Sequence, residues 1–310
     1  MNNYAPILLF VYNRPNHLKQ VIEALLTNKS FKSSPCYIFS DGPKSEQDKV
    51  KVDAVRLLID EFISNNKLEN IQFIKSEKNK GLANSIIDGI DQITQRYDRF
   101  IVLEDDLLVS PNFLSFMNKA LDKYRNYSRV MQIAGYQLPI KIEMKEDCHF
   151  FMKTNSWAWA SWKSKWKHFD NDAIGLVNQI KDIDKFNVYK SFNRFQMLQK
   201  EVILQNKNNA IHSWAILWAA SVYLLDGLVL YPKHSLVQNL GHDSSGENCK
   251  KTNIYDTKIN NFSIKNWPDK IEESTVLRNR ITDYYKTETL YPDKPTFIQK
   301  AKNKLSKWIR

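Results

Sequence analysis

The sequence predicts an α/β fold, a mostly parallel twisted sheet flanked by helices and followed by a C-terminal helical extension. Three observations carry that expectation. Over residues 1–135 short apolar runs of β type alternate with stretches of helical period, the order that builds right-handed crossovers. Several of these runs end on polar or acidic residues, as strands do when their ends face a ligand crevice. With 310 residues and 43% apolar side chains, the chain can bury a sizeable core.

Ile7 to Tyr12 reads as the first strand, and Pro15 opens a helix whose Leu18, Val21, Ile22, Leu25 and Leu26 recur at helical spacing. Cys36 to Ser40 is a second strand, closed by the turn Asp41-Gly42-Pro43. The following helix carries Val55, Leu58, Ile59 and Phe62 on one face, and Ile71 to Lys75 is the third strand. Gly81 precedes a helix with Leu82, Ile86, Ile90 and Ile93, after which Phe100 to Leu103 is the fourth strand. Val130 to Ala134 and His149 to Met152 read as further strands, and Trp157 to Trp166 is dense in tryptophan. Residues 170–209 are rich in Lys and Asn with helical spacing. Asn208 to Leu225 is uncharged but opens on Asn208, Asn209, His212 and Ser213, so it reads as a buried helix rather than a membrane span. A domain of residues 1–254 and an extension of residues 255–310 is the simplest division.

The chain has 45 basic and 34 acidic residues, a formal charge of +11. Cys36, Cys148 and Cys249 are odd in number and widely spaced, which argues against a disulfide framework or a zinc site and fits a reducing cytoplasm. Met1 to Ala5 is polar, and no basic residue precedes the short apolar run after it, so no signal peptide is expected.

At the predicted strand ends stand Asn13 and Arg14, then Asp41, then Glu104, Asp105 and Asp106. Three consecutive acids repel one another unless a cation or donor groups offset their charge. Either they serve such a site, or they form a solvated turn or cap the helix expected after Pro111. The fingerprints GxGxxG and GxxxxGK[ST] are both missing, which argues against dinucleotide enzymes and P-loop NTPases. A nucleotide diphosphate held through a divalent metal by one or two carboxylates needs no glycine-rich loop.

These motifs resemble the GT-A fold glycosyltransferases, specifically bacterial family 2-like enzymes related to N-acetylglucosaminyltransferase I. The resemblance rests on Tyr12-Asn13-Arg14-Pro15, Ser40-Asp41-Gly42, Asn79-Lys80-Gly81-Leu82-Ala83, Val102-Leu103-Glu104-Asp105-Asp106, Trp157-Ala158-Trp159-Ala160-Ser161-Trp162, and Leu230-Tyr231-Pro232 followed by Gly241-His242-Asp243-Ser244-Ser245-Gly246. It covers about residues 5 to 250. It implies that Asp106 ligates Mn²⁺ or Mg²⁺, that Asp105 and Glu104 contact the ribose and sugar of a nucleotide-sugar donor, a UDP-sugar by the same resemblance, and that Asp41 touches the nucleobase. Asn13 and Arg14 would line the same pocket. Asn79 and Gly81 would close over the nucleotide, although Gly81 also suits a helix start.

Trp157, Trp159, Trp162 and Trp166 read either as core aromatics or as rings bordering a sugar site. If extended, Trp157 and Trp159 point to opposite sides, whereas Trp162 and Trp166 share a helical face. The resemblance places Trp157 or Trp159 at the donor and acceptor site. An inverting transfer also needs a general base within reach of the acceptor hydroxyl. In the resembling enzymes an acid ahead of a tryptophan supplies it, but Ile211-His212-Ser213-Trp214 contains none. The candidates are therefore His212, Asp243 and Glu247, and His242 is either a metal ligand or a loop residue.

Residues 294–310 carry six basic residues and no acid, with Phe297, Ile298, Ala301, Leu305, Trp308 and Ile309 on one helical face. Such a helix either packs on the core or lies on an anionic membrane. The expectation is a cytoplasmic protein in peripheral contact with the inner membrane face. The function implied is metal-dependent transfer of a sugar to a bacterial surface glycan or lipid-linked acceptor, as in polysaccharide or lipopolysaccharide biosynthesis. The alternatives are a nucleotidylyltransferase and an inactive scaffold or binding protein. Nucleic acid is not an expected partner, because acids line the crevice where phosphodiesters would sit.

Overall fold

The computed structural model describes residues 4–182, 213–243 and 252–287. In chain order it contains β1 (Ile7–Val11), α1 (Pro15–Leu26), β2 (Cys36–Ser40), α2 (Glu46–Asn66), β3 (Ile71–Lys75), α3 (Leu82–Thr94), β4 (Arg99–Glu104) and β5 (Leu107–Val109). There follow α4 (Phe113–Tyr124), β6 (Val130–Ala134), β7 (Cys148–Phe151), β8 (Trp159–Trp162), α5 (Lys163–Trp166), α6 (Ala173–Asp182), α7 (Trp214–Leu224), β9 (Leu228–Pro232), β10 (Val237–Asn239) and α8 (Thr275–Thr287).

Among the described residues eight strands form one sheet in the order β3-β2-β1-β4-β8-β6-β9-β7. The first four strands are mutually parallel, as their alternation with helices requires. β8 then inserts antiparallel between β4 and β6, and β7 runs antiparallel to β9, so the second half of the sheet is mixed. The expectation of a mostly parallel sheet flanked by helices holds, with this correction to its far half.

The parallel strands β1, β2 and β4 are largely buried on both faces because helices cover both, whereas the edge strand β3 is only partly buried. Ile7, Leu9 and Val11 of β1 join the core beneath α1, α2 and α4, whereas Leu8 and Phe10 join the core beneath α3 and α7. The β8 segment divides in the same way. Trp162 enters the first core, and Trp159 the second, where Trp166 of α5 joins it. This corrects the expectation that Trp162 and Trp166 share a helical face: Trp162 is a strand residue paired with Arg99.

After residue 254 the chain packs back on the first core. Trp267 stacks on Phe116 at 5.9 Å between ring centroids, and Leu277, Ile281 and Tyr285 of α8 are buried there. Residues 294–310, with the expected basic helix, lie outside the described residues, as does most of the 170–209 stretch. Among the described residues no helix is long and apolar enough to cross a membrane.

Candidate active site

The carboxyl ends of β2, β1 and β4 lie side by side, since Val11 pairs with Ser40 and Phe10 with Glu104. Asp105 and Asp106 form the turn between β4 and β5. They are 2% and 7% exposed, so they are neither a solvated acidic turn nor a cap of α4, which Asn112 starts. Arg14, at the entry to α1, spans both acids: one guanidinium nitrogen bonds Asp105 and the other stands 2.8 Å from Asp106. The Tyr12 N–H adds a bond of 3.1 Å to Asp105. Burial and the neighbouring Asp106 push the Asp105 carboxyl up while Arg14 pulls it down, and the two acids hold the Arg14 guanidinium charged. At Glu104 burial and the charges of Asp106 and Asp105 outweigh the pull of Arg14 and push the carboxyl up to about 8.

A second segment reaches the acids through the short β5–β10 ribbon, in which Leu107 pairs with Asn239. The Leu240 N–H donates to the Asp106 carbonyl at 2.8 Å, and Asn239 Oδ1 accepts from the Gly241 N–H at 2.7 Å. The Asp106 carboxylate occupies the place where a Cβ on Gly241 would stand, so only glycine lets the loop come this close. His242 follows, its ring 5.2 Å from that of Trp157 and 5.1 Å from that of Tyr255. Both of its ring nitrogens are buried and make no hydrogen bond among the described residues. Asp243 is paired with His17 of α1 at 3.1 Å.

Among the described residues no three metal-ligating side chains converge. A carboxylate at Asp106 and an imidazole with two unsatisfied nitrogens at His242, on either side of Gly241, nevertheless fit a cation that takes its remaining ligands from phosphate and water oxygens. Orphaned buried nitrogens are costly, and such a cation would satisfy one of them.

Asp41 closes β2 in a different role from the one expected. Its carboxylate accepts from the N–H groups of Gly42 and Lys80 at 2.8 Å, of Gly81 at 2.9 Å, and from the Asn79 side-chain amide at 3.1 Å. Two carboxylate oxygens offer about four lone-pair sites, and all are used. Asp41 therefore pins the Asn79–Gly81 segment to the strand end and has no acceptor left for a nucleobase. Gly81 has φ +77°, with open space where a Cβ would point, so it both starts α3 and turns the segment through a conformation that glycine favours.

The other expected residues divide. Asn13 lies beside the acids but its amide donates to Asp48 at 2.9 Å. Trp157 meets His242 and so borders the site. Trp159 does not: it is 0% exposed, stacked on Trp214 at 5.3 Å and edge-on to Phe100 at 5.5 Å. Strand alternation sends it into the core beneath α3 and α7, which corrects its placement at the sugar site. His212 and Glu247 lie outside the described residues.

Sequence reasoning missed His17, Arg56 and Gln132. His17 is three residues after Arg14, the helical interval that puts both on one face, and that spacing was a readable signal. Arg56 bonds Ser40 at 3.1 Å and the carbonyls of Asp41 and Ser76 at 3.2 and 2.6 Å, tying the ends of β2 and β3 together. Gln132 fixes the segment before Trp157 and had no signal.

The model of the family described as glycosyl transferase family 2 matches residues 7–192. No curated protein matches the chain. Among solved structures it is similar to S. aureus TarS 1–349, at 12% identity and TM-score 0.39 over 53% of this chain and 48% of that one. It is also similar to the mannosyltransferase PcManGT from Pyrobaculum calidifontis, in complex with GDP-Man and Mn²⁺, at 10% identity and TM-score 0.41 over 72% and 70% of the two chains. A third is the galactosyltransferase LgtC in complex with donor and acceptor sugar analogs, at 11% identity and TM-score 0.38 over 73% and 72%. The chain spans about half the length of the S. aureus TarS 1–349 chain.

Proposed function

The chain belongs to glycosyl transferase family 2, and from that premise we propose that it is a metal-dependent transferase moving a sugar from a nucleotide-sugar donor, a UDP-sugar, to a hydroxyl of a bacterial surface glycan or glycolipid, with inversion. The observation that carries this reading is the buried pair Asp105 and Asp106 at the end of β4, bridged by Arg14, with Gly241 packed on Asp106 and His242 next in the chain.

In this reading Asp106 and His242 would hold Mn²⁺ or Mg²⁺, which when bound would supply positive charge toward a departing diphosphate. Arg14 supplies a second positive charge at the same strand end, preorganised by its two carboxylates. Asp105, fixed by Arg14 and the Tyr12 N–H, offers its oxygens toward the ribose, and Glu104, its carboxyl raised toward neutrality, can donate a hydrogen bond to a sugar oxygen. Asn13 and the Asn79–Gly81 segment wall the nucleotide pocket. Asp243 takes the proton of the attacking hydroxyl, with His17 holding its carboxylate in place. Attachment of the basic C-terminal residues to an anionic membrane surface would bring the enzyme to a lipid-linked acceptor.

Calorimetric titration of UDP, GDP, CMP and TDP with and without Mn²⁺ tests the donor site. Metal-dependent binding of one nucleotide that is lost in Asp106→Ala supports the reading. Absence of binding under both conditions overturns it in favour of a scaffold.

A further inference from the structure

The His242 imidazole follows the glycine packed on Asp106, yet no hydrogen bond among the described residues sets its orientation. Its backbone is held, because Asn239 fixes the Gly241 N–H and the Thr252 N–H donates to the His242 carbonyl at 3.3 Å. Both ring nitrogens are buried without a partner among the described residues. Rotation about the bond to a flat ring is soft, and a histidine that ligates a metal is ordinarily turned and fixed by a carboxylate or carbonyl on its other nitrogen. At His242 aromatic packing takes that place. The Trp157 ring meets it at 5.2 Å with planes 67° apart, and the Tyr255 ring at 5.1 Å with planes 33° apart.

These two rings are braced from β6 and the residues just after it. Trp157 and Tyr255 meet edge to face at 5.5 Å. Tyr136 packs edge to face on Trp157 at 4.5 Å, and its hydroxyl donates to the Tyr255 carbonyl at 2.9 Å. Gln132, within β6 and 0% exposed, donates from its side chain to the Asn155 carbonyl and accepts from the Asn155 N–H, both at 2.9 Å. Asn155 Oδ1 in turn accepts from the Trp157 N–H at 2.8 Å. Beyond the tryptophan, Ala158 adopts φ +50°, a conformation that non-glycine residues keep only where their surroundings hold it, and its carbonyl accepts from the Gly135 N–H at 2.8 Å. Gln132 spends both ends of its amide on one residue, so its loss strips two backbone groups of Asn155 at once.

We propose that Gln132 is a positioning residue: through Asn155 it sets Trp157, and Trp157 with Tyr255 turns the His242 imidazole to share a cation with Asp106. The cation rests on the proposed function, whereas the orientation of the imidazole rests on these contacts alone.

The test uses the full chain labelled with ¹³C at histidine Cε1, at pH 8.5, above the ordinary titration range of imidazole. His242→Ala identifies the His242 signal by its loss. Ring currents from Trp157 and Tyr255 should displace that signal from the position of free histidine. Gln132→Leu, of similar size but unable to bond Asn155, should move it most of the way back, as should Trp157→Ala, while Trp157→Phe, which keeps a ring there, should move it less. An unmoved signal in Gln132→Leu would overturn the proposal. Mn²⁺ affinity in the presence of UDP, read from the EPR signal of the free ion, should fall about 10–100-fold in Gln132→Leu, the usual effect of losing a group that orients a metal ligand. Adding Gln132→Leu to His242→Ala should weaken binding no further than His242→Ala alone, because a residue that acts through His242 has nothing more to lose. Losses that multiply would overturn the proposal. Should Gln132→Leu not fold, Asn155→Ala, which removes the acceptor of the Trp157 N–H and leaves Gln132 on the backbone, carries the same comparisons. If the wild type binds no Mn²⁺, the metal reading fails and the histidine signal alone decides the positioning.

Discussion

Arg14 Nη1 stands 2.8 Å from the Asp106 carboxylate while its other nitrogen holds Asp105, so one guanidinium bridges both buried acids at the end of the central strand. One positive charge offsets one of the two carboxylates and leaves the cluster with room for a further cation. Removing one side of a buried pair leaves the other uncompensated, at a cost of about 3–5 kcal/mol. Arg14→Ala should lower the melting temperature by many degrees, and added Mn²⁺ should restore part of that loss by replacing the missing positive charge. Thermal unfolding with and without Mn²⁺ checks both effects.

Asp41 should behave as a structural carboxylate. Asp41→Asn replaces an acceptor with an N–H₂ group facing other N–H donors, and one or two of them would be left unsatisfied at roughly 1–3 kcal/mol each. Faster hydrogen exchange at the Lys80 and Gly81 amides, with weaker nucleotide binding, is the expected result. A direct nucleobase contact would instead weaken binding without altering exchange in the unliganded protein.

The fold and the acid triplet were legible because parallel strands buried on both faces leave uninterrupted apolar runs, and chemistry collects where those runs stop. β1, β2 and β4 follow that pattern, and the edge strand β3, interrupted by Gln72, follows it only in part. β8 is not announced by its sequence because four consecutive residues, Trp159 to Trp162, are buried on both faces without alternation, so the choice between Trp157 and Trp159 for the sugar site stays open until the strand is seen. Asp41 looked like a binding residue because local sequence does not show that residues 79–81 return to it. The arrival of Gly241 and His242 beside Asp106 depends on the β5–β10 ribbon, a contact across more than a hundred residues that no local pattern encodes.

Asp243, paired with His17, should carry the proton transfer. Asp243→Asn is expected to reduce kcat by about 10²–10⁴-fold, the usual contribution of a general base, with nucleotide affinity unchanged. His17→Ala should reduce kcat less, because it removes only the group that orients the carboxylate. Steady-state kinetics paired with nucleotide titration separates the two effects.

Lys153 has a definite pH signature. Burial lowers its ammonium to about 8 from an unfolded value near 10.5, so the folded state binds fewer protons than the unfolded state between those pH values. Its contribution is fully present above about 10.5 and is lost as pH falls through 8. Lys153→Met should therefore be more stable than the wild type at pH 7, with the gap narrowing from pH 8 upward. Urea unfolding of both proteins at pH 7, 8.5 and 10 measures it.

In the proposed function a metal and a nucleotide diphosphate meet at the turn after β4. Anomalous diffraction at the manganese edge, from crystals soaked with Mn²⁺ and UDP, is the decisive experiment. One strong peak is expected within ligand distance of the Asp106 carboxylate, adjoining diphosphate density and absent in Asp106→Asn. A peak and nucleotide bound elsewhere on the chain, with the Arg14–Asp105–Asp106 cluster undisturbed, would contradict it.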